Sequence, residues 1–514
     1  MLRLLSLFFR GRLRGGMFGF QQHPKGLRTL FFTEMWERFS YYGMRGLLML
    51  FLVSAVQKGG FGLDDKTAAA IYGLYTAAVY LAALPGGWIA DRLLGARKAV
   101  FVGGLFIVAG QFTLALPSMR TFFLGLLFIV IGTGLLKPNI SVMVGQLYPE
   151  GGVKQDAGFT IFYMGINVGS AIGPLIAGYL GENVNWHLGF IASGVGMILG
   201  LVQFKLTGHY LGDVGLRMAK KQGDATTRSE RKSWIILWSA VGVLALIVGL
   251  EMCGVLCLNA WVMAEWATYV IVGISVLFFV NAFFFAKLNG TEKKRVGVIL
   301  LLFIASAMFF SGFEQAGSSL NIFAERFTSR YITFSDVVLP VPASWFQSLN
   351  PVFIIIFAPL VANLWLILAK RNCNPPMIIK FAMGLILLGL GFVVVAAGAR
   401  LVSDETRVLP IWLIATYFIH TMGELCLSPV GLSTVSKLSP KRLVGQMMGV
   451  WFLASSLGNL IAGLVAGKME ASETLSQGMQ MSHQFMHIFW FALGVAGLLL
   501  IVSKPVRRVT RDIE

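Results

Sequence analysis

Charge is what this chain has least of. Only 13% of its 514 residues are Asp, Glu, Lys or Arg and 56% are hydrophobic, whereas soluble domains carry about a quarter charged residues. An ordinary soluble domain is excluded. Cysteine is nearly as scarce: there are four, all in or near apolar segments, with Cys253 and Cys257 four apart on one helix. No partner pattern in outward loops implies a disulfide framework. Walker-type GxxxxGK[ST] loops are missing from every polar segment, which removes ATP as an energy source. HExxH, GxSxG and histidine clusters are missing from the apolar runs, leaving no constellation for an intramembrane enzyme. His483 and His487 stand at the start of the last run and read as interfacial. No metal, cofactor or enzymatic activity is therefore expected.

Long apolar runs are what the chain has in abundance. They recur near 30–55, 68–90, 98–116, 121–145, 158–180, 187–206, 233–254, 265–286, 296–324, 348–368, 378–398, 409–433, 443–467 and 484–503, each long enough to cross a bilayer as a helix. Continuous runs, unlike ten-residue alternations, argue against a membrane β-barrel. If the loops alternate sides, one set with both termini holds 31 of the 42 Lys and Arg, and the opposite set holds 8. The positive-inside rule then places both termini in the cytoplasm. The net charge of +18 is mostly this topology signal; its dispersal over many loops argues against a nucleic-acid footprint. The opening Met1–Arg10 is too short and Arg-interrupted for a secretory signal, reads as an interfacial basic segment, and leaves Met1 and Met17 both open as starts.

The longest polar break, 205–232, splits the chain. Residues 1–28 are expected to be a cytoplasmic segment, 29–206 a six-helix bundle, 207–232 a cytoplasmic linker, 233–286 an inserted helical hairpin, 287–503 a second six-helix bundle and 504–514 a cytoplasmic tail. This is an all-α membrane protein of fourteen helices, and pseudo-symmetric halves describe a secondary transporter. After the second run, Gly87-x-x-x-Asp91-Arg92-x-x-Gly95-x-Arg97-Lys98 matches the loop of the major facilitator superfamily, where the Asp and Arg tie helix ends at the cytoplasmic gate.

Charges inside spans survive only when paired or facing water. The first span carries Glu34, Glu37, Arg38 and Arg45, which with Tyr41 fall within a ~100° arc at helical spacing. Beyond it, span charges are Lys137, Glu314, Glu424 and, when protonated, His420. The cations Arg45 and Lys137 from the first half and the anions Glu314 and Glu424 from the second would neutralise each other across a cleft. Gly165, Gly169 and Gly173 form a small-residue strip on span five, with Asn167 beside it offering a donor and an acceptor. Asn350 could play the same part at the start of its span. Tyr42 and Tyr80 add hydroxyls, while Phe310 and Trp451 could wall side-chain pockets.

Four motifs then resemble the proton-dependent oligopeptide transporter family: Glu34-x-x-Glu37-Arg38-Phe39-x-Tyr41-Tyr42-Gly43, the Gly-Gly-x-x-Ala-Asp-Arg loop ending at Arg92, Phe162-Tyr163-x-Gly165-Ile166-Asn167-x-Gly169-Ser170 and Gly423-Glu424-Leu425-x-x-Ser428-Pro429-x-Gly431. The resemblance covers nearly the whole chain and includes the hairpin of bacterial members. It implies a proton-coupled symporter importing di- and tripeptides across a bacterial inner membrane by alternating access. By the same resemblance, Arg45 and Lys137 would face the peptide carboxylate, and Glu424, Asn167 and Asn350 its amino terminus. Tyr42, Tyr80, Phe310, Ser428 and Trp451 would line the site. Glu37, with Glu34 and Arg38 beside it, would carry the proton, with Glu314 second; Arg45, Glu314, Asp91 and Arg92 would form gates. The histidine of animal members in span two is missing, and Gly73 takes its place. Protons are then the only coupling species, and the partners are peptide, proton and lipid, with a monomer expected. A major-facilitator symporter or exporter of nitrate, a drug or a glycoside is the alternative.

Overall fold

In the computed structural model, residues 20–217, 224–256, 259–334, 337–371, 373–403, 406–440, 443–467 and 476–510 are described. The long helices are α1 Gly26–Val53, α2 Asp65–Ile89, α3 Ala96–Leu114, α4 Met119–Gln146, α5 Gly152–Gly178, α6 Trp186–Leu206, α7 Asp224–Met252, α8 Ala260–Val280 and α9 Gly290–Phe313. A short α10, Ser319–Phe327, follows, and then α11 Leu349–Lys370, α12 Met377–Arg400, α13 Ile411–Leu438, α14 Val444–Ala466, α15 Gln477–Ile501 and the small α16 Ser503–Thr510. Twelve helical segments among the described residues are long and apolar enough to cross a membrane. α1 falls outside that set because of its charges, while α13 contributes the shorter apolar segment Ile411–Leu427 among the described residues. Together they account for the fourteen expected spans.

Three segments depart from the sequence reading. The run 296–324 is not one helix: α9 stops at Phe313, a 3-10 turn spans Glu314–Gly317, and α10 restarts at Ser319. Hydropathy cannot see this break, because the turn's backbone is satisfied by buried partners instead of by helical ones. α7 begins at Asp224, so part of the expected linker is helix. Between α10 and α11, Tyr331–Phe334 and Val337–Pro340 form an antiparallel ribbon, Tyr331 opposite Pro340 and Phe334 opposite Val337. Its β-branched and aromatic residues suit strands, and it lies between the long apolar runs.

The described residues fall into two compact units. The first lies within Met1–Met44, Ala82–Ala177 and His187–Leu258; the second holds Arg45–Leu81, Gly178–Trp186 and the residues from Asn259 on. The boundary runs through α1.

In the first unit the core gathers Leu27, Leu30 and Phe31 of α1, Ile107 of α3, Leu136 and Ile140 of α4 and Met197 of α6. The glycine strip of α5 lies against α1: a Cβ at Gly173 would stand 2.5 Å from the Phe39 carbonyl oxygen, and one at Gly165 3.0 Å from that of Phe31. The loop after α2 turns at Gly95, whose φ of 81° favours glycine. There Arg97 Nη1 donates to the Gly212 carbonyl at 3.0 Å and Nη2 to that of Gly208. α7 leaves its apolar flanks exposed, Trp238 and Leu246 among them, as a lipid-facing helix does.

In the second unit the core is built on α9, α12, α14 and α15, with Phe309, Phe381, Leu388 and Phe485 fully buried. Here α2 meets α14 at two glycines. A Cβ on Gly73 would lie 3.0 Å from Gly463 Cα, and one on Gly463 2.5 Å from the Ala69 carbonyl oxygen. A side chain at 73 would press on this backbone.

Candidate translocation site

Within the first unit, helical spacing on α1 sets Arg38 beside two carboxylates. Its Nε donates to Glu34 Oε1 at 2.8 Å and lies 2.6 Å from Glu37 Oε2. The N–H is aimed at Glu34, so both Glu37 oxygens are left without a hydrogen bond among the described residues, as are Glu34 Oε2 and Arg38 Nη2. All three residues are buried, and the guanidinium stands 5.6 Å from the centre of the Tyr41 ring. Lys137, half-buried on α4, acts electrostatically on Glu37. Asn167 is buried, but its amide donates to the Tyr163 carbonyl of its own helix at 2.9 Å. Tyr42 is half-buried and packs edge-on against Tyr41, ring centres 5.2 Å apart.

Asp91 and Arg92 are exposed, and neither has an ion-pair partner among the described residues. Arg97 of the same loop holds the segment after α6. Its place in the motif could have flagged it.

Within the second unit, Arg45 Nη2 meets Glu314 Oε2 at 2.5 Å, and Arg45 Nε donates to the Tyr72 hydroxyl at 2.6 Å. The pair expected between these two charges is present, and it is buried. Glu314 stands on the 3-10 turn that interrupts the span. That turn is fixed by Gln315, whose amide donates to the Ala462 carbonyl at 3.1 Å, and by the Tyr417 hydroxyl, which donates to the Ala316 carbonyl at 3.3 Å. None of Tyr72, Gln315 and Tyr417 carried a sequence signal: each is an ordinary polar residue in an apolar run, and only the fold gives it a partner.

Glu424 has a different environment. Asn350 Nδ2 donates to Glu424 Oε2 at 2.9 Å and lies 3.0 Å from Thr421 Oγ1. Glu424 is also within electrostatic reach of Glu314. No Lys or Arg pairs with it among the described residues, although a cation partner was expected. His420 Nε2 lies 3.0 Å from the Leu388 carbonyl and its ring packs tilted against Phe392, ring centres 4.7 Å apart; it is a satisfied core residue. Phe310 backs onto Gly458, Trp451 packs against Phe381 with ring centres 6.4 Å apart, and Tyr80 is half-buried on α2. The Ser428 side chain lies outside the described residues.

Membrane-length helices, buried charge pairs and a polar break inside a span define a secondary transporter with the major facilitator fold. Among the described residues no group of His, Cys, Asp or Glu could hold a metal ion. The POT family (PTR2) model matches residues 97–485, and the chain belongs to that family; it is a transporter and not an enzyme. It is 40% identical over 503 residues to the peptide transporter YePEPT of Yersinia enterocolitica, covering 96% of both chains. Identity to a di-/tripeptide transporter of Lactococcus lactis subsp. cremoris is 34%, over 96% of this chain and 97% of that one. Among solved structures, a mutant of the peptide transporter POT in complex with alafosfalin aligns with a TM-score of 0.84 at 40% identity over 96% of each chain.

Proposed function

We propose that this protein imports di- and tripeptides together with protons across the bacterial inner membrane, working as a monomer with both termini in the cytoplasm. Two six-helix halves, 29–206 and 287–503, would alternate access, with 233–286 as an inserted hairpin. The relatives named as peptide transporters support the substrate class. The observation that carries the reading is the surroundings of Glu424: a half-buried carboxylate held by the neutral Asn350 amide, which a cationic guest would complement. A peptide ammonium is such a guest, and Asn350 and Asn167 would share it. Arg45 and Lys137 would take the peptide carboxylate. Tyr42, Tyr80, Phe310, Ser428 and Trp451 would line the rest. Glu37 would carry the proton, supported by Glu34 and Arg38, with Glu314 second; Asp91 and Arg92 would serve the cytoplasmic gate.

The test is Glu424→Gln in proteoliposomes. Free dipeptides should weaken by about 2–5 kcal/mol, the range for truncating one partner of a hydrogen-bonded charge pair at a binding interface, while N-acetylated dipeptides lose much less. Equal losses for both ligands would contradict the assignment of Glu424 to the ammonium.

A further inference from the structure

The Arg45–Glu314 pair has a third member. The Tyr72 side chain is fully buried, its hydroxyl accepts from Arg45 Nε at 2.6 Å, and the guanidinium carbon lies 5.8 Å from its ring centre. The guanidinium fork normally meets a carboxylate with two parallel N–H groups. Here Nε is committed to Tyr72, and Nη2 meets Glu314. Tyr72 also touches the other side of the pair. Gly317, in the same 3-10 turn as Glu314, packs so closely under the tyrosine that a Cβ there would overlap the hydroxyl and come within 3.0 Å of the ring edge. One side chain therefore senses both the direction of the arginine and the position of the turn that carries its partner.

We propose that Tyr72 is a positioning residue: it orients Arg45 by hydrogen bond and gauges the Glu314 turn by contact at Gly317, so that the ion pair closes in a single geometry. An arginine stem has enough rotatable bonds to reach a carboxylate in many ways, and each free rotamer costs the closed state entropy. Fixing Nε removes most of them. Tyr72 thus acts on the rate of the conformational cycle through Arg45, without touching the peptide itself. This rests on the reading of the chain as a peptide transporter.

The experiment is a double-variant cycle on the purified full chain in liposomes: unchanged protein, Tyr72→Phe, Arg45→Lys and both together. Labelled-dipeptide counterflow is measured for maximal rate and KM. Tyr72→Phe should lower the maximal rate about tenfold, the effect of losing one hydrogen bond to a charged group, with KM little changed. In the Arg45→Lys background, which lacks both Nε–H and the planar fork, removing the hydroxyl should change nothing more. A full rate for Tyr72→Phe, or the same fold-loss in both backgrounds, overturns the proposal. So does a drop expressed in KM alone. Gly317→Ala is the independent arm: it should reproduce the rate defect and be milder when Tyr72 is already Phe, and a silent Gly317→Ala counts against the contact. The same four proteins are melted. If the unchanged protein carries no dipeptide, the transport reading fails; the melting cycle then still decides Tyr72, with non-additive losses expected and additive losses overturning it.

Discussion

The two charged clusters on α1 are built in opposite ways. Glu34, Glu37 and Arg38 come from one helix within five positions, and the cluster leaves four polar atoms without a hydrogen bond among the described residues. Arg45 meets Glu314 across 269 positions of sequence, and its Nε donates to the Tyr72 hydroxyl. On our account the difference separates two tasks. An under-bonded carboxylate such as Glu37 can take a proton without breaking a hydrogen bond. A fully engaged pair such as Arg45–Glu314 does the reverse: it ties two distant chain segments, so its making and breaking is a change of conformation. On our account the first cluster couples the proton and the second holds a state.

The comparison is broken most severely by reversing the engaged pair. Arg45→Glu or Glu314→Arg alone leaves a buried like-charge contact, and removing one partner of a buried pair costs about 3–5 kcal/mol. Dipeptide exchange by either single should be nearly abolished. The double reversal should recover part of it, measured at matched protein in liposomes; a double no better than the worse single would show that the two do not act as a pair.

Gly73 sharpens the comparison at intermediate size, because it tests how firmly the second unit holds its segments together. Gly73→His should lower stability by about 1–3 kcal/mol or more through overpacking, read by thermal melting, since Gly463 lies against it. An unchanged melting temperature would mean that α2 and α14 separate easily there.

The smallest effect belongs to the first unit, outside the spans. His23 Nδ1 lies 2.8 Å from the Tyr148 hydroxyl. Burial, and then the charge of Lys154, lowers the His23 pKa below its ordinary value, while burial pushes the Tyr148 hydroxyl up to about 12. Unfolded chains then bind the His23 proton first, so stability falls as pH drops through the unfolded value near 6.5. Melting between about pH 7.5 and about pH 5.5 should show a slightly larger drop for the unchanged protein than for His23→Phe. Equal drops would remove His23 from the pH response.

How far these regions could be read from sequence follows the same divide. The α1 face was legible because its charges sit at helical spacing in an apolar run, where each one demands a reason. Charge balance matched Arg45 and Lys137 to Glu314 and Glu424 without assigning partners, and it was the family resemblance that set Arg45 against Glu314. Tyr72, Gln315 and Tyr417 were not legible, because a tyrosine or glutamine in a span satisfies hydropathy wherever its hydroxyl or amide goes. The break at Glu314 was hidden for a related reason: a 3-10 turn whose polar groups are met by Ala462 and Tyr417 leaves the apolar run unchanged. Glycine pairs such as 73 and 463 need the partner helix to be meaningful. Asp91 and Arg92 drew attention through a motif, while Arg97 and Arg217 make side-chain hydrogen bonds in that loop.

The account rests most heavily on Glu37. The direct measurement is Glu37→Gln in liposomes, with proton-driven accumulation and gradient-free counterflow of the same labelled dipeptide recorded side by side. The account predicts that accumulation vanishes while counterflow survives, because a permanently neutral side chain removes the coupling step and leaves the Arg45–Glu314 cycle in place. Normal proton-driven accumulation by Glu37→Gln would contradict it.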